Sequence, residues 1–88
     1  MNNYIDNFKK RLIYRSQYRG TKEMEVLLCS FVRNIINQIS KKELEKLLTL
    51  LNVDDDNLYK FKQGIKTNIK ITDNRISKLF KNFKYKKK

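Results

Sequence analysis

The sequence predicts an all-α fold, a compact bundle of about five helices. Three observations carry that prediction. The 88-residue chain has no proline and two glycines, which removes most of the turn punctuation that an all-β fold needs. Its apolar residues recur at spacings of three and four, the period of a helix with a buried face. Good helix-capping residues stand ahead of those runs. The length fits one domain, read as residues 1–84 with a frayed basic tail at 85–88.

Asn2 or Asn3 caps the first helix, and Ile5, Phe8 and Leu12 form its apolar stripe. This helix should fade near Gln17 to Tyr18. Gly20 breaks it, because glycine tolerates the backbone angles of a tight helix-to-helix corner. The second helix starts at Gly20 or Thr21. With Gly20 as the cap, Glu23 is the third helical position and reaches back to free backbone amides. Apolar residues then follow at 24, 27, 28, 31, 32, 35, 36 and 39. That stripe is too wide for one buried face, so this helix should be the central one.

Ser40 and Glu43 form a capping box for the third helix, which buries Leu44, Leu47, Leu48 and Leu51 and stops at Asn52. Asp54, Asp55 or Asp56 caps a short fourth helix with Leu58 and Phe61 inward, and Gly64 ends it. Ile65 to Ile71 alternates like a strand but has no partner strand, so it reads as a loop. Thr72 then caps a fifth helix, with Ile71 and Ile76 as a hydrophobic staple. Ile76, Leu79, Phe80 and Phe83 face inward. Most leucines and isoleucines are thus used by the core, which leaves little to line a ligand cavity.

Composition excludes several chemistries. There is no histidine and a single cysteine, so no Cys–His or Ser–His–Asp grouping, internal disulfide or structural zinc site is available. Cys29 sits in an apolar run and reads as a small buried hydrophobe. The glycines stand alone, so there is no phosphate-cradling loop. The Asp54–Asp56 run lacks calcium-loop spacing and reads as cap and dipole chemistry, leaving no metal expected. No apolar run approaches a membrane span, and the N-terminus resembles neither a signal nor a transit peptide, so a cytoplasmic protein without membrane insertion is expected. Nothing supports an enzyme.

The formal net charge is +12. Residues 1–59 carry ten basic and eight acidic side chains, whereas residues 60–88 carry eleven basic and one acidic. The excess therefore belongs to the last third. Three of the five arginines instead cluster in Arg11-Leu12-Ile13-Tyr14-Arg15-Ser16-Gln17-Tyr18-Arg19-Gly20-Thr21-Lys22-Glu23-Met24-Glu25, in a chain that elsewhere prefers lysine. Arg and Tyr dominate interface hot spots, and a mixed-sign cluster suits a protein partner better than a polyphosphate. The candidate partner-binding residues are Arg19, Gly20, Glu23, Arg15, Tyr14, Arg11 and Phe61.

That stretch resembles the signature of the small succinate dehydrogenase flavinylation factors, whose hallmark is Arg-Gly-x-x-Glu, here Arg19-Gly20-Thr21-Lys22-Glu23. The frame around it is similar too: Arg11-Leu12, Tyr14-Arg15-Ser16 upstream, and Leu27, Leu28 and Phe31 downstream. Asp55-Asp56-Asn57-Leu58-Tyr59-Lys60-Phe61 resembles the family's Asp-Pro-Asp-Leu-Tyr-x-Trp segment, with Phe61 in place of Trp and Asn57 in place of the second Asp. The likeness covers roughly residues 8 to 64, and nothing is carried over from beyond Gly64.

The resemblance implies a five-helix assembly factor. It implies binding to the flavoprotein subunit of succinate dehydrogenase, or of fumarate reductase, and promotion of covalent FAD attachment to a histidine of that subunit. The factor would hold no FAD stably itself, would act as a monomer, and would leave the bond-forming chemistry to its partner. On this basis Gly20 lets the corner approach the partner, Glu23 acts near the flavin site, and Arg19 and Arg15 make bidentate contacts with Tyr14 behind them. Gly20→Arg and Glu23→Ala should then keep helicity and lower covalent flavin. The rival is a small basic nucleic-acid-binding protein that sets the Lys-rich last third on phosphates, with Tyr59, Phe61, Phe80 and Phe83 interleaved.

Overall fold

A computed structural model of the chain describes residues 3–84. They form five helices: α1 (Asn3–Gln17), α2 (Lys22–Ile35), α3 (Lys41–Leu51), α4 (Asp55–Gln63) and α5 (Arg75–Asn82). No strand occurs among the described residues, and 65–73 is a loop. The all-α five-helix prediction holds. The suggested cap at Asn2 and the frayed tail at 85–88 lie outside the described residues.

One core joins the helices. Leu12 of α1, Leu28, Phe31 and Val32 of α2, Leu44 and Leu47 of α3, Leu58 of α4, and Ile76 and Phe80 of α5 are all essentially inaccessible. Phe31 stands at the centre of an aromatic cluster, edge-on to Phe80 at 5.3 Å and to Phe83 at 5.4 Å between ring centroids. Each such pair adds about 0.5–1.5 kcal/mol beyond area burial. Backbones pack most closely between α1 and α2, α1 and α3, α3 and α5, and α4 and α5. Helix α2 buries the most residues, as its wide stripe predicts. Its backbone, however, lies close to α1 alone among these pairs, and it reaches α5 through Phe31.

Local signals set most boundaries. Ser40 and Glu43 make the expected capping box, with Glu43 N–H donating to Ser40 Oγ and Ser40 N–H donating to Glu43 Oε1. Asp54 caps α4 by accepting from Asn57 N–H at 3.1 Å. Gly64 ends α4 at φ 76°, the left-handed region, and Ile65 N–H donates to the Lys60 carbonyl at 2.8 Å.

Three expectations are corrected. Thr21, not Gly20, caps α2, since its hydroxyl accepts from Met24 N–H at 3.1 Å. Glu23 is therefore the second helical position, too early to close a capping box. In α3, Leu50 is buried, while Leu48 is only partly so. Asn74, not Thr72, caps α5, in a reciprocal box with Ser77. This later start removes the Ile71–Ile76 staple. The flanking positions hold Asp73 and Lys78 instead, an ion pair at 4.0 Å.

Arg75 ties the start of α5 to the start of α3, its Nη1 donating to Glu43 Oε1 at 2.7 Å and Oε2 at 2.8 Å. That bond, with the Ser40 amide, holds the Glu43 carboxyl below its ordinary pKa. Asp54 is likewise held low, by the Asn57 side chain and backbone amide. A carboxyl with a lower pKa folded than unfolded stabilises the fold above its unfolded value and loses that contribution as pH falls. Melting temperature should therefore be flat above about pH 5 and fall below about pH 4. Glu43→Gln should shallow that acid slope. Parallel slopes for variant and wild type would contradict this account of Glu43.

Candidate functional site

The arginine cluster grips the chain itself. Arg19 has a side chain only 9% exposed. Its Nε donates to Asp55 Oδ1 at 2.7 Å, Nη1 to the Leu51 carbonyl at 2.8 Å, and Nη2 to the Val53 carbonyl at 2.8 Å. Leu51 is the last residue of α3 and Asp55 the first of α4. One guanidinium thus sits at the negative end of α3 while its carboxylate partner sits at the positive end of α4. Arg15 adds to the grip, its Nη1 donating to Asn52 Oδ1 at 2.5 Å. The planar fork of arginine serves these separated acceptors in a way that one ammonium does not.

Gly20 belongs to the same clamp. Its N–H donates to the other Asp55 oxygen, Oδ2, at 2.5 Å. Its φ is not positive, so the expected conformational reason for glycine does not apply. Space is the reason: a Cβ here would lie 3.1 Å from Asp55 Oδ2. The corner approaches α4 closely, and Asp55 is shared between Arg19 and Gly20. A side chain at Gly20 requires Asp55 to give way by a few tenths of an ångström.

The remaining expected site residues divide in two. Arg11, Tyr14 and Glu23 are exposed. Tyr14 lies against Tyr18 with centroids 4.6 Å apart, and the two are 59% and 69% exposed. Glu23 opens the outer face of α2, in no ion pair with a described residue. Phe61 is turned inward, packed against the core with the Lys81 ammonium 5.6 Å from its ring centre. The structure thus separates the cluster into a clamp (Arg15, Arg19, Gly20) and an open surface (Arg11, Tyr14, Tyr18, Glu23).

Three important residues were not singled out by sequence. Asp55 was read only as a possible cap. Asn57 is 5% exposed, donates to Asp54 Oδ1 at 2.7 Å and accepts from Asn68 N–H at 2.9 Å, so it pins the 65–73 loop. Lys62 donates to the Phe80 carbonyl at 2.8 Å and also to that of Phe83, capping the C-terminal end of α5. Burial, helped by nearby Lys84, lowers the Lys62 pKa. The Asp-Asp-Asn-Leu-Tyr run was the available signal, since it is the second stretch that carries the resemblance.

Cys29 is partly buried, not sealed, and its Sγ donates to the Ser16 carbonyl at 3.4 Å. A second correction concerns cavities. A groove of about 1120 Å³ opens between α2 and α4 and is closed at one side by the end of α5. Glu23, Val26, Leu27, Tyr59, Lys81 and Phe83 line it. The aromatics that the nucleic-acid reading would need are mostly committed elsewhere. Phe80 is fully buried, while Phe61 and Phe83 pack on the core. Among the described residues no group of three potential metal ligands gathers, and no helix is long and apolar enough to cross a membrane.

Comparison with known proteins gives a consistent result. A family model described as flavinator of succinate dehydrogenase matches residues 10–84, past Gly64 and through α5. The proteins named succinate dehydrogenase assembly factor 2, mitochondrial, are similar. That of Saccharomyces cerevisiae is 36% identical over 58 residues, covering 66% of this chain and 36% of the relative. That of Candida glabrata is 36% identical over 59 residues, covering 67% and 39%. That of Arabidopsis thaliana is 31% identical over 51 residues, covering 58% and 27%. The matched part of the chain thus spans a little over a third of the two yeast relatives. No solved structure matches the chain.

Proposed function

The chain belongs to the family described as flavinator of succinate dehydrogenase, and from that premise we propose that it is an assembly factor for the flavoprotein subunit of succinate dehydrogenase or fumarate reductase. It binds that subunit and promotes covalent attachment of FAD to it. It is not itself the catalyst and holds no FAD stably. Attack of a partner histidine on the flavin needs close placement and stabilisation of charge on the ring. A rigid small bundle supplies this by preorganising its partner.

The observation that carries the reading is the corner. The Arg19–Asp55–Gly20 clamp fixes the junction of α1 and α2, and α2 then presents Glu23 outward in its first turn. On the other flank α1 presents Arg11 and Tyr14, with Tyr18 just past its end. Arg19 serves as a positioning residue, and the exposed four meet the partner. Incubating purified flavoprotein subunit with FAD, with and without the chain, tests this through flavin fluorescence on a denaturing gel. The covalent band should grow at least about tenfold faster with the chain. Equal growth would overturn the proposal.

A further inference from the structure

The groove between α2 and α4 adjoins the corner, with Glu23 in its lining. Its floor and walls are apolar: Val26 and Leu27 from α2, Tyr59 from α4 and Phe83 after α5. Helix α2 has an apolar stripe too wide for its buried face; Leu27 is the outer edge of that excess, Val26 lies beside it, and both are only partly buried. The rim is basic. Lys62, Lys81 and Lys84 surround it against one free carboxylate, Glu23, since Glu25 pairs with the fourth rim lysine, Lys22, at 3.5 Å. Burial, and after it the neighbouring Lys84, disfavours the Lys62 charge.

We infer that this groove receives an acidic segment of the flavoprotein partner that carries at least one large apolar side chain. The inference rests on the proposed function and deepens it. The apolar walls take the anchor, and the exposed Lys81 and Lys84 meet the flanking carboxylates. A second copy of this chain fits poorly, because its net charge of +12 would bring like charges together at the rim. Glu23 lines the groove, so the segment is seated beside the corner and fixes its register on the partner.

The test uses the full chain and the purified flavoprotein subunit. Lys81→Glu with Lys84→Glu changes two exposed side chains and should lower stability by no more than about 1–2 kcal/mol, through the Lys81 contact with Phe61 and the end of α5, so the chain stays folded. Affinity for the flavoprotein should fall about tenfold or more, and its salt dependence should flatten. A photo-crosslinker at Gln63, on the groove wall, should join the chain to an acidic stretch of the flavoprotein. Wild-type affinity in the double variant overturns the inference, as does a crosslink to a neutral or basic stretch or to a second copy of the chain. If affinity is unchanged but the chain still promotes covalent flavin, only the groove is lost. If the wild-type chain does not bind the flavoprotein at all, both the function and the groove fall.

Discussion

Arg19→Ala should lower the unfolding free energy by about 3 kcal/mol and the melting temperature by about 15 °C. The reason lies in what the side chain leaves behind. Asp55 is 19% exposed and would keep its charge without its main counter-ion. The carbonyls of Leu51 and Val53 would lose their donors at the end of α3. Removing one member of a buried pair costs about 3–5 kcal/mol, and the low end applies here because Asp55 retains the Gly20 amide and the α4 terminus. A domain of this size holds only about 5–10 kcal/mol in total. Arg19→Lys should recover little, since one ammonium does not reach three acceptors in a plane. Chemical denaturation followed by circular dichroism measures this. A change under about 0.5 kcal/mol, the ordinary range for surface substitutions, would show that the clamp is not structural.

Glu23→Ala should behave in the opposite way. Glu23 is exposed, lies in the first turn of α2 and pairs with no described residue. Its loss removes only a favourable interaction with the helix end, under about 1 kcal/mol. The partner, however, loses a carboxylate placed by a rigid corner, and removal of a hot-spot contact costs at least about 2 kcal/mol. Covalent flavin should fall at least about tenfold at wild-type stability. The two variants thus divide the Arg-Gly-x-x-Glu motif into a residue that holds the corner and one that acts from it.

Much of the fold was legible because its signals are local. The Ser40–Glu43 box lies within four residues, and Gly64 stops α4 through its own backbone angle. The start of α5 was misread for the same reason: Thr72 and Asn74 both cap well, and local pattern alone did not rank them. The partner of Arg19 was not legible, since Asp55 lies 36 residues away and stood in a run already explained by capping. A cluster of arginines and a glutamate therefore read as one surface, when hydrogen bonds to Asn52 and Asp55 divide it. The groove was missed because Leu27 fitted a helical stripe, and stripe counting does not show where the opposing helix falls short.

The measurement that bears most directly on the account is covalent flavin per flavoprotein subunit after co-expression with wild-type chain, with Glu23→Ala or with no chain, read by flavin fluorescence on a denaturing gel. The account predicts a strong band with wild type and weak, similar bands in the other two, with Glu23→Ala melting as wild type does. Equal bands in all three would contradict it.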